Sequence, residues 1–183
     1  MKIVGVDCAT EDAKIGIALG ILVDDHLEIQ DASLCSRERS AAETIAEWLR
    51  TEGEGSVIAI DAPLGWPRPL AASLIEHTAG SAINTEAHAM FRRGTDLFIQ
   101  RELKKTPLDV GADRIARTAY AALRLLANLR ERLGVAIPLA WDPSDIVALV
   151  AIEVYPAATL VAHRIRSSGY KKPQQVEERS EIL

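Results

Sequence analysis

Three acidic residues stand where a carboxylate could do chemistry. Val57-Ile58-Ala59-Ile60 runs without a polar break into Asp61. Such a run reads as a strand buried on both faces. It ends in Ala62-Pro63-Leu64-Gly65-Trp66-Pro67, a loop stiffened by two prolines. Open α/β sheets bind ligands at the carboxyl ends of their strands, ahead of such loops. Asp7 closes Lys2-Ile3-Val4-Gly5-Val6, and Glu153 lies near the end of the apolar run from Ile146 to Val154. The simpler alternative is that each acid ends a strand, caps a turn or joins a salt bridge.

If the three strands are neighbours, about 5 Å apart, their acids converge. Clustered carboxylates raise one another's pKa, and folding gains little from them. A divalent cation resolves the repulsion. Mg²⁺ or Mn²⁺ takes oxygen ligands, and a two-ion site stabilises both the attacking and the leaving oxygen in phosphodiester cleavage.

The elements that must position these acids follow from patterning. Lys2–Cys8, Ile15–Val23 and Leu27–Leu34 read as three strands. The short link Asp24-Asp25-His26 requires an antiparallel meander, because a parallel return needs a crossover. Gly5 would let a ligand or another backbone approach. Ser40-Ala41-Ala42-Glu43 is a capping-box pattern opening a helix with Ile45, Trp48 and Leu49 on its apolar side. Pro69 suits the start of a helix to about Thr78, and Ser81–Met90 reads as a loop or lid. Thr95 is the expected cap of a helix through Lys104, with Asp96 in its first turn. Ile115, Ala119, Ala122, Leu123, Leu126, Leu129 and Leu133 form a helical stripe ended by Gly134. Further helices are expected over 157–166 and from Pro173 onward. The outcome is a single α/β domain over 1–183, with a mixed five-stranded sheet in which the Asp61 and Glu153 strands run parallel to the first.

Composition sets outer bounds. With 183 residues, 48% hydrophobic and 26% charged, the chain is that of an ordinary globular protein. No apolar run approaches the ~20 residues of a membrane span. The N-terminus enters a strand pattern rather than a signal-peptide layout, so cytoplasmic residence is expected. Cys8 and Cys35 lack metal spacing and read as buried thiols. The net charge of -5 means that a nucleic-acid partner needs a local basic patch. Arg92, Arg93, Arg101, Lys104 and Lys105 are candidates, against the plainer reading of a solvated helix face. Arg114 and Arg117 are expected to pair with Asp96 or Asp113. His77, His88 and His163 read as surface or capping residues, and Trp66 as packing over its loop rather than stacking on a base.

The strings VGVDCA, AIDAPLGWP, RRGTD, ADRIARTA, IEVYPAATL and YKKPQQVEERSEIL resemble domain-of-unknown-function family 429, whose members are described as predicted nucleases of the ribonuclease H-like superfamily. IDAPLG and EVYPA are the most specific pieces. The resemblance implies a ribonuclease H-like fold and a metal-dependent nuclease acting on DNA or RNA. It assigns Asp7, Asp61 and Glu153 as catalytic, Mg²⁺- or Mn²⁺-binding acids, with Asp7 bridging the metals. It adds Arg93, Asp96, Arg114 and Lys172 as substrate-binding residues, with Arg179 in the last segment. Family members continue into a helix with a further Asp, so the domain is expected to lack that C-terminal helix. A homodimer is the candidate assembly, without membrane association. Two rival classes stay open: an actin-like phosphotransferase lobe, suggested by Val4-Gly5-Val6-Asp7-Cys8-Ala9-Thr10, and a non-catalytic binding module.

Overall fold

The computed structural model describes residues 1–50, 55–111, 113–169, 174–180 and 182. The chain packs as two compact units: Met1–Gly65 with Asp113–Val154, and Trp66–Ala112 with Tyr155–Leu183.

The first unit carries a five-stranded sheet: β1 (Lys2–Asp7), β2 (Gly16–Val23), β3 (His26–Leu34), β4 (Ser56–Asp61) and β5 (Leu149–Glu153). Their spatial order is β3-β2-β1-β4-β5. β1, β2 and β3 form the antiparallel meander expected from their short links, and β4 and β5 lie parallel to β1. This mixed α/β sheet flanked by helices is consistent with a ribonuclease H-like fold. Asp24 and Asp25 both adopt positive φ, 48° and 62°, closing the two-residue hairpin between Val23 and His26.

Two helices cover one face of the sheet: α1 (Ala41–Leu49) and α5 (Asp113–Leu133). Ser40 caps α1 as its sequence demands. Ser40 Oγ accepts from the Glu43 amide at 3.4 Å, and the Ser40 amide donates to Glu43 Oε2 at 3.2 Å. Ala122, Leu125, Leu126 and Leu129 of α5 are buried with Val4, Val6, Ile45, Ile58, Ile60 and Ala151. Gly134, at φ 69°, ends α5 in the left-handed conformation that glycine adopts at low cost. A smaller group, Val57, Ala140 and Val150, is buried on the opposite face.

The second unit is helical: α2 (Arg68–Leu74), α3 (Ala87–Phe91), α4 (Gly94–Leu103), α6 (Pro156–Ala162) and α7 (Val176–Ser180). α2 packs on α3, and α4 on α6. The Phe91 ring lies over Gly111, where a Cβ would come within 2.4 Å of it. The Val110 amide donates to the Phe91 carbonyl at 3.0 Å, tying that loop to α3.

Several boundaries differ from the sequence reading. β5 begins at Leu149 rather than Ile146: a 3₁₀ turn over Pro143–Asp145 comes first, and Ile146–Ala148 lead out of it before the strand pairs. Asp145 Oδ2 accepts from the amides of Trp141 and Asp142, and the Ile146 amide returns to Pro143. Residues Ala87–Phe91 form a helix where a loop was expected, and α2 stops at Leu74. α6 ends at Ala162, before Arg164 takes positive φ. The helix expected from Pro173 is seen only as α7; Pro173 itself lies outside the described residues.

Candidate functional site

The register of β1 against β4 pairs Asp7 directly with Asp61. Residues in register share a face, and adjacent strands are about 5 Å apart. Both carboxylates therefore project on the same side of the sheet, at its carboxyl edge. That side is opposite to the one α1 and α5 cover, because Val6 and Ile60, one residue back, are in the helix-covered core.

The floor around the two acids is built of small residues. Gly5 pairs with Ala59 and Ala18, and Asp7 pairs with Gly16. A Cβ built on Gly5 meets nothing within 4 Å, and one on Gly16 meets Asp7 Cβ at 3.6 Å. β2 thus alternates Gly16, Ala18 and Gly20 on the acid side with Ile17, Leu19 and Ile21 on the other. That alternation was available in the sequence, but only the register shows that it borders Asp7.

Glu153 is placed differently. It pairs with Ile60, not Asp61, so strand alternation puts its Cβ on the opposite face from the two aspartates. Its Oε2 accepts from the Leu64 amide at 2.8 Å, across 89 residues of sequence. The Val154 amide donates to the Ile60 carbonyl at 3.0 Å beside it. The IDAPLG and EVYPA strings are thereby joined by a hydrogen bond in which Glu153 holds the loop after β4. Among the described residues, no three His, Cys, Asp or Glu side chains are grouped to hold a metal ion. Two carboxylates still suit Mg²⁺, which is commonly held by one or two carboxylates together with substrate phosphates and water. Asp7 and Asp61 fit that description.

Cys8 registers the charge of the pair. Its thiol is pushed from its ordinary 9.0 up to about 11, first by burial and then by the Asp7 and Asp61 carboxylates. Its Sγ reaches the Thr118 carbonyl of α5 at 4.0 Å. Cys8 is half-buried, Cys35 is buried, and both are free thiols.

The other candidates are distributed. Arg93 and Asp96 bind one another: Nε donates to Oδ2 at 3.0 Å and Nη2 to Oδ1 at 2.7 Å. Asp96 is only 4% exposed and also accepts from the Arg93 amide at 2.8 Å. Arg93, not Thr95, is the residue preceding α4, so Asp96 occupies the third helical position and satisfies the backbone there. Asp96 therefore has Arg93 as a partner within its own unit. Arg114 is exposed in the first turn of α5. Lys172 lies outside the described residues. Arg179 falls in α7. In the proposed basic patch, Arg92 donates to Asp109, Arg101 to Glu102, and Lys104 to the Arg101 carbonyl, as on an ordinary solvated surface.

The family described as "Protein of unknown function (DUF429)" has a model that matches residues 5–183. The chain belongs to the DUF429 family. Nothing matches among curated proteins or among solved structures. The DUF429 match spans both acids of the in-register pair, the Glu153–Leu64 bond and the Arg93–Asp96 pair. Among the described residues, no helix is long and apolar enough to cross a membrane.

Two predictions follow from this geometry. Glu153→Ala leaves the Leu64 amide without its acceptor and should lower stability by about 1–2 kcal/mol in urea unfolding, whereas Glu153→Gln, which retains an acceptor oxygen, should cost well under half of that. Equal losses for the two variants would show that the bond does not hold the loop. In a Cys35→Ala background at pH 8, Asp7→Asn and Asp61→Asn should each speed iodoacetamide alkylation of Cys8 several-fold, since removing either negative charge lowers the thiol pKa. An unchanged rate in Asp61→Asn would separate Asp61 from the Asp7 site.

Proposed function

We propose that this protein is a divalent-cation-dependent hydrolase of nucleic-acid phosphodiester bonds, working at the Asp7–Asp61 edge of the sheet. The observation that carries the reading is the in-register pairing of Asp7 with Asp61 on neighbouring parallel strands. Two carboxylates side by side repel one another, and a divalent cation held between them relieves that repulsion. Asp7 and Asp61 are the residues that would hold Mg²⁺ or Mn²⁺. When bound, such an ion supplies Lewis-acid charge to a phosphoryl group. Glu153 acts as a positioning residue, fixing the turn at Leu64 next to Asp61. The small residues Gly5, Gly16 and Ala59 leave space for a sugar–phosphate backbone to approach the acids. Membership of DUF429, together with the ribonuclease H-like arrangement of the sheet, supports the nuclease reading by analogy of fold.

In this reading the substrate is DNA or RNA, and a homodimer is the candidate assembly. Two free thiols suit a reducing compartment, in keeping with cytoplasmic action.

The test is cleavage of end-labelled single-stranded RNA and DNA with Mg²⁺, with Mn²⁺ and with EDTA. Cleavage should require the cation and fall by on the order of 100-fold or more in Asp7→Asn and Asp61→Asn. Glu153→Ala, which acts through the loop, should lose roughly 10–100-fold. Cleavage that persists in EDTA, or is untouched in Asp7→Asn, would contradict the proposal.

A further inference from the structure

β3 forms one edge of the sheet and pairs with β2 on a single side. Among the described strands, it alone has every residue exposed. Its outer side presents a row of backbone donors and acceptors, a template for another strand. The strand contains no lysine or proline, the residues that commonly keep an edge from pairing. Its apolar side chains are exposed with it: Leu27 45%, Ile29 53% and Leu34 74%.

Those side chains share one face. β2 places Gly16, Ala18, Gly20 and Leu22 on the side of the acids, and these pair with Leu34, Ala32, Ile29 and Leu27. A Cβ on Gly20 would come within 2.7 Å of Leu27 Cδ1, so the missing side chain is what seats Leu27 there. A Cβ on Gly16 would meet Leu34 Cδ2 at 3.9 Å. The shared face depends on a bulge. Leu19 pairs with Asp31 and Gly20 with Ile29, which leaves Gln30 without a partner in β2. Without that extra residue, strict alternation would set Ala32 and Leu34 on the face opposite to Leu27 and Ile29.

The bulge makes the strand self-complementary. Leu27-Glu28-Ile29-Gln30 and Asp31-Ala32-Ser33-Leu34 carry the same apolar and polar pattern read in opposite directions. Antiparallel pairing of two copies about the point between Gln30 and Asp31 sets Leu27 opposite Leu34 and Ile29 opposite Ala32. It also sets Glu28 opposite Ser33 and Gln30 opposite Asp31. Every apolar residue then meets an apolar residue, and no like charges are directly opposed. A slip by one sets Ile29 against Asp31 or Ser33, and a slip by two sets Asp31 against Glu28 or Ala32. Glu28 and Asp31 stand diagonally across the axis on the polar face, a cost that the apolar pairs, each made twice by symmetry, must outweigh.

We propose that this protein forms a homodimer by antiparallel pairing of β3 with β3 of a second copy, joining two five-stranded sheets edge to edge. The two-fold axis passes through the sheet, so both Asp7–Asp61 pairs open on the same side. Leu34, Gly16, Asp7 and Asp61 lie in one row across the strands. The pairing extends that row beyond Leu34 by Leu27 of the partner subunit. The proposal does not depend on the hydrolase reading, and it gives the homodimer named with that reading an interface.

Sedimentation equilibrium of the full chain, from about 1 to 100 μM, should show a monomer–dimer equilibrium, the range expected of a small interface. Ile29→Lys, which puts a charge at an exposed site on the edge, should be monomeric throughout, with an unchanged circular dichroism spectrum and thermal midpoint. Register is read by disulfide formation in a Cys35→Ala background. Glu28→Cys/Ser33→Cys should give a disulfide-linked dimer under mild oxidation, whereas neither single cysteine should. The two positions within one strand are roughly 15 Å apart, as are the two copies of either position across the axis, beyond the Cα separation of about 7 Å that a disulfide spans. The single variants also control for Cys8. A chain monomeric at every concentration overturns the proposal and leaves the edge to a strand from a different protein. A dimer that Ile29→Lys leaves intact, or a single cysteine that cross-links as readily as the pair, overturns it too. If Ile29→Lys fails to fold, the cross-linking decides alone. No cation or nucleic acid enters either measurement, so the result is independent of the hydrolase reading.

Discussion

Parallel pairing of β1 with β4 in a single register decides where every group of the candidate site lies. Side chains alternate along a strand, so a slip of one residue would send Asp61 to the helix-covered face and leave Asp7 alone. The register is held by burial. Val4 and Val6 meet Ile58 and Ile60 in the same rows, and all four are enclosed under α1 and α5. Slipping would expose these side chains, at roughly 1.5–3 kcal/mol for each one fully brought to water. The acids are thus placed by apolar residues one step behind them, and the cost of bringing two carboxylates together is met by the core.

A second constraint acts on the loop that follows. β4 ends in Asp61, and the chain must turn at once without blocking the carboxylate. Pro63 limits the backbone of that turn, while Glu153 fixes its Leu64 amide from the neighbouring strand. One hydrogen bond therefore couples the two most distinctive strings of the sequence. The same acid that reads as a third ligand in the sequence accepts a backbone amide in the fold. On the other side, β2 contributes little more than Gly16 and Ala18, and this keeps space beside Asp7.

Much of this was legible from residue patterns, because local chemistry determines it. The Ser40–Glu43 capping box, the leucine stripe of α5, its stop at Gly134 and the meander of short-linked strands each depend on neighbours within one or two turns of chain. The clustering of three acids depends on register, which no local pattern specifies. A shift of one residue in β5 separates Glu153 from Asp61, and both registers produce the same hydrophobic string. The position of Thr95 misled for a related reason. A hydroxyl is a common helix cap, but the backbone of α4 is satisfied by Asp96, held by Arg93 from the preceding residue. At Ile146, an apolar run looked continuous with β5, yet the carboxylate of Asp145 draws the chain into a 3₁₀ turn first.

The central claim is that Asp7 and Asp61, set side by side by strand pairing, form one cation site. Calorimetric titration with Mn²⁺ of the unsubstituted chain, Asp7→Asn and Asp61→Asn tests it most directly. The account predicts saturable binding that either substitution weakens by at least tenfold, with the two single losses exceeding what independent sites would sum to. Binding of Mn²⁺ that survives in both variants, or no binding by the unsubstituted chain, would contradict it.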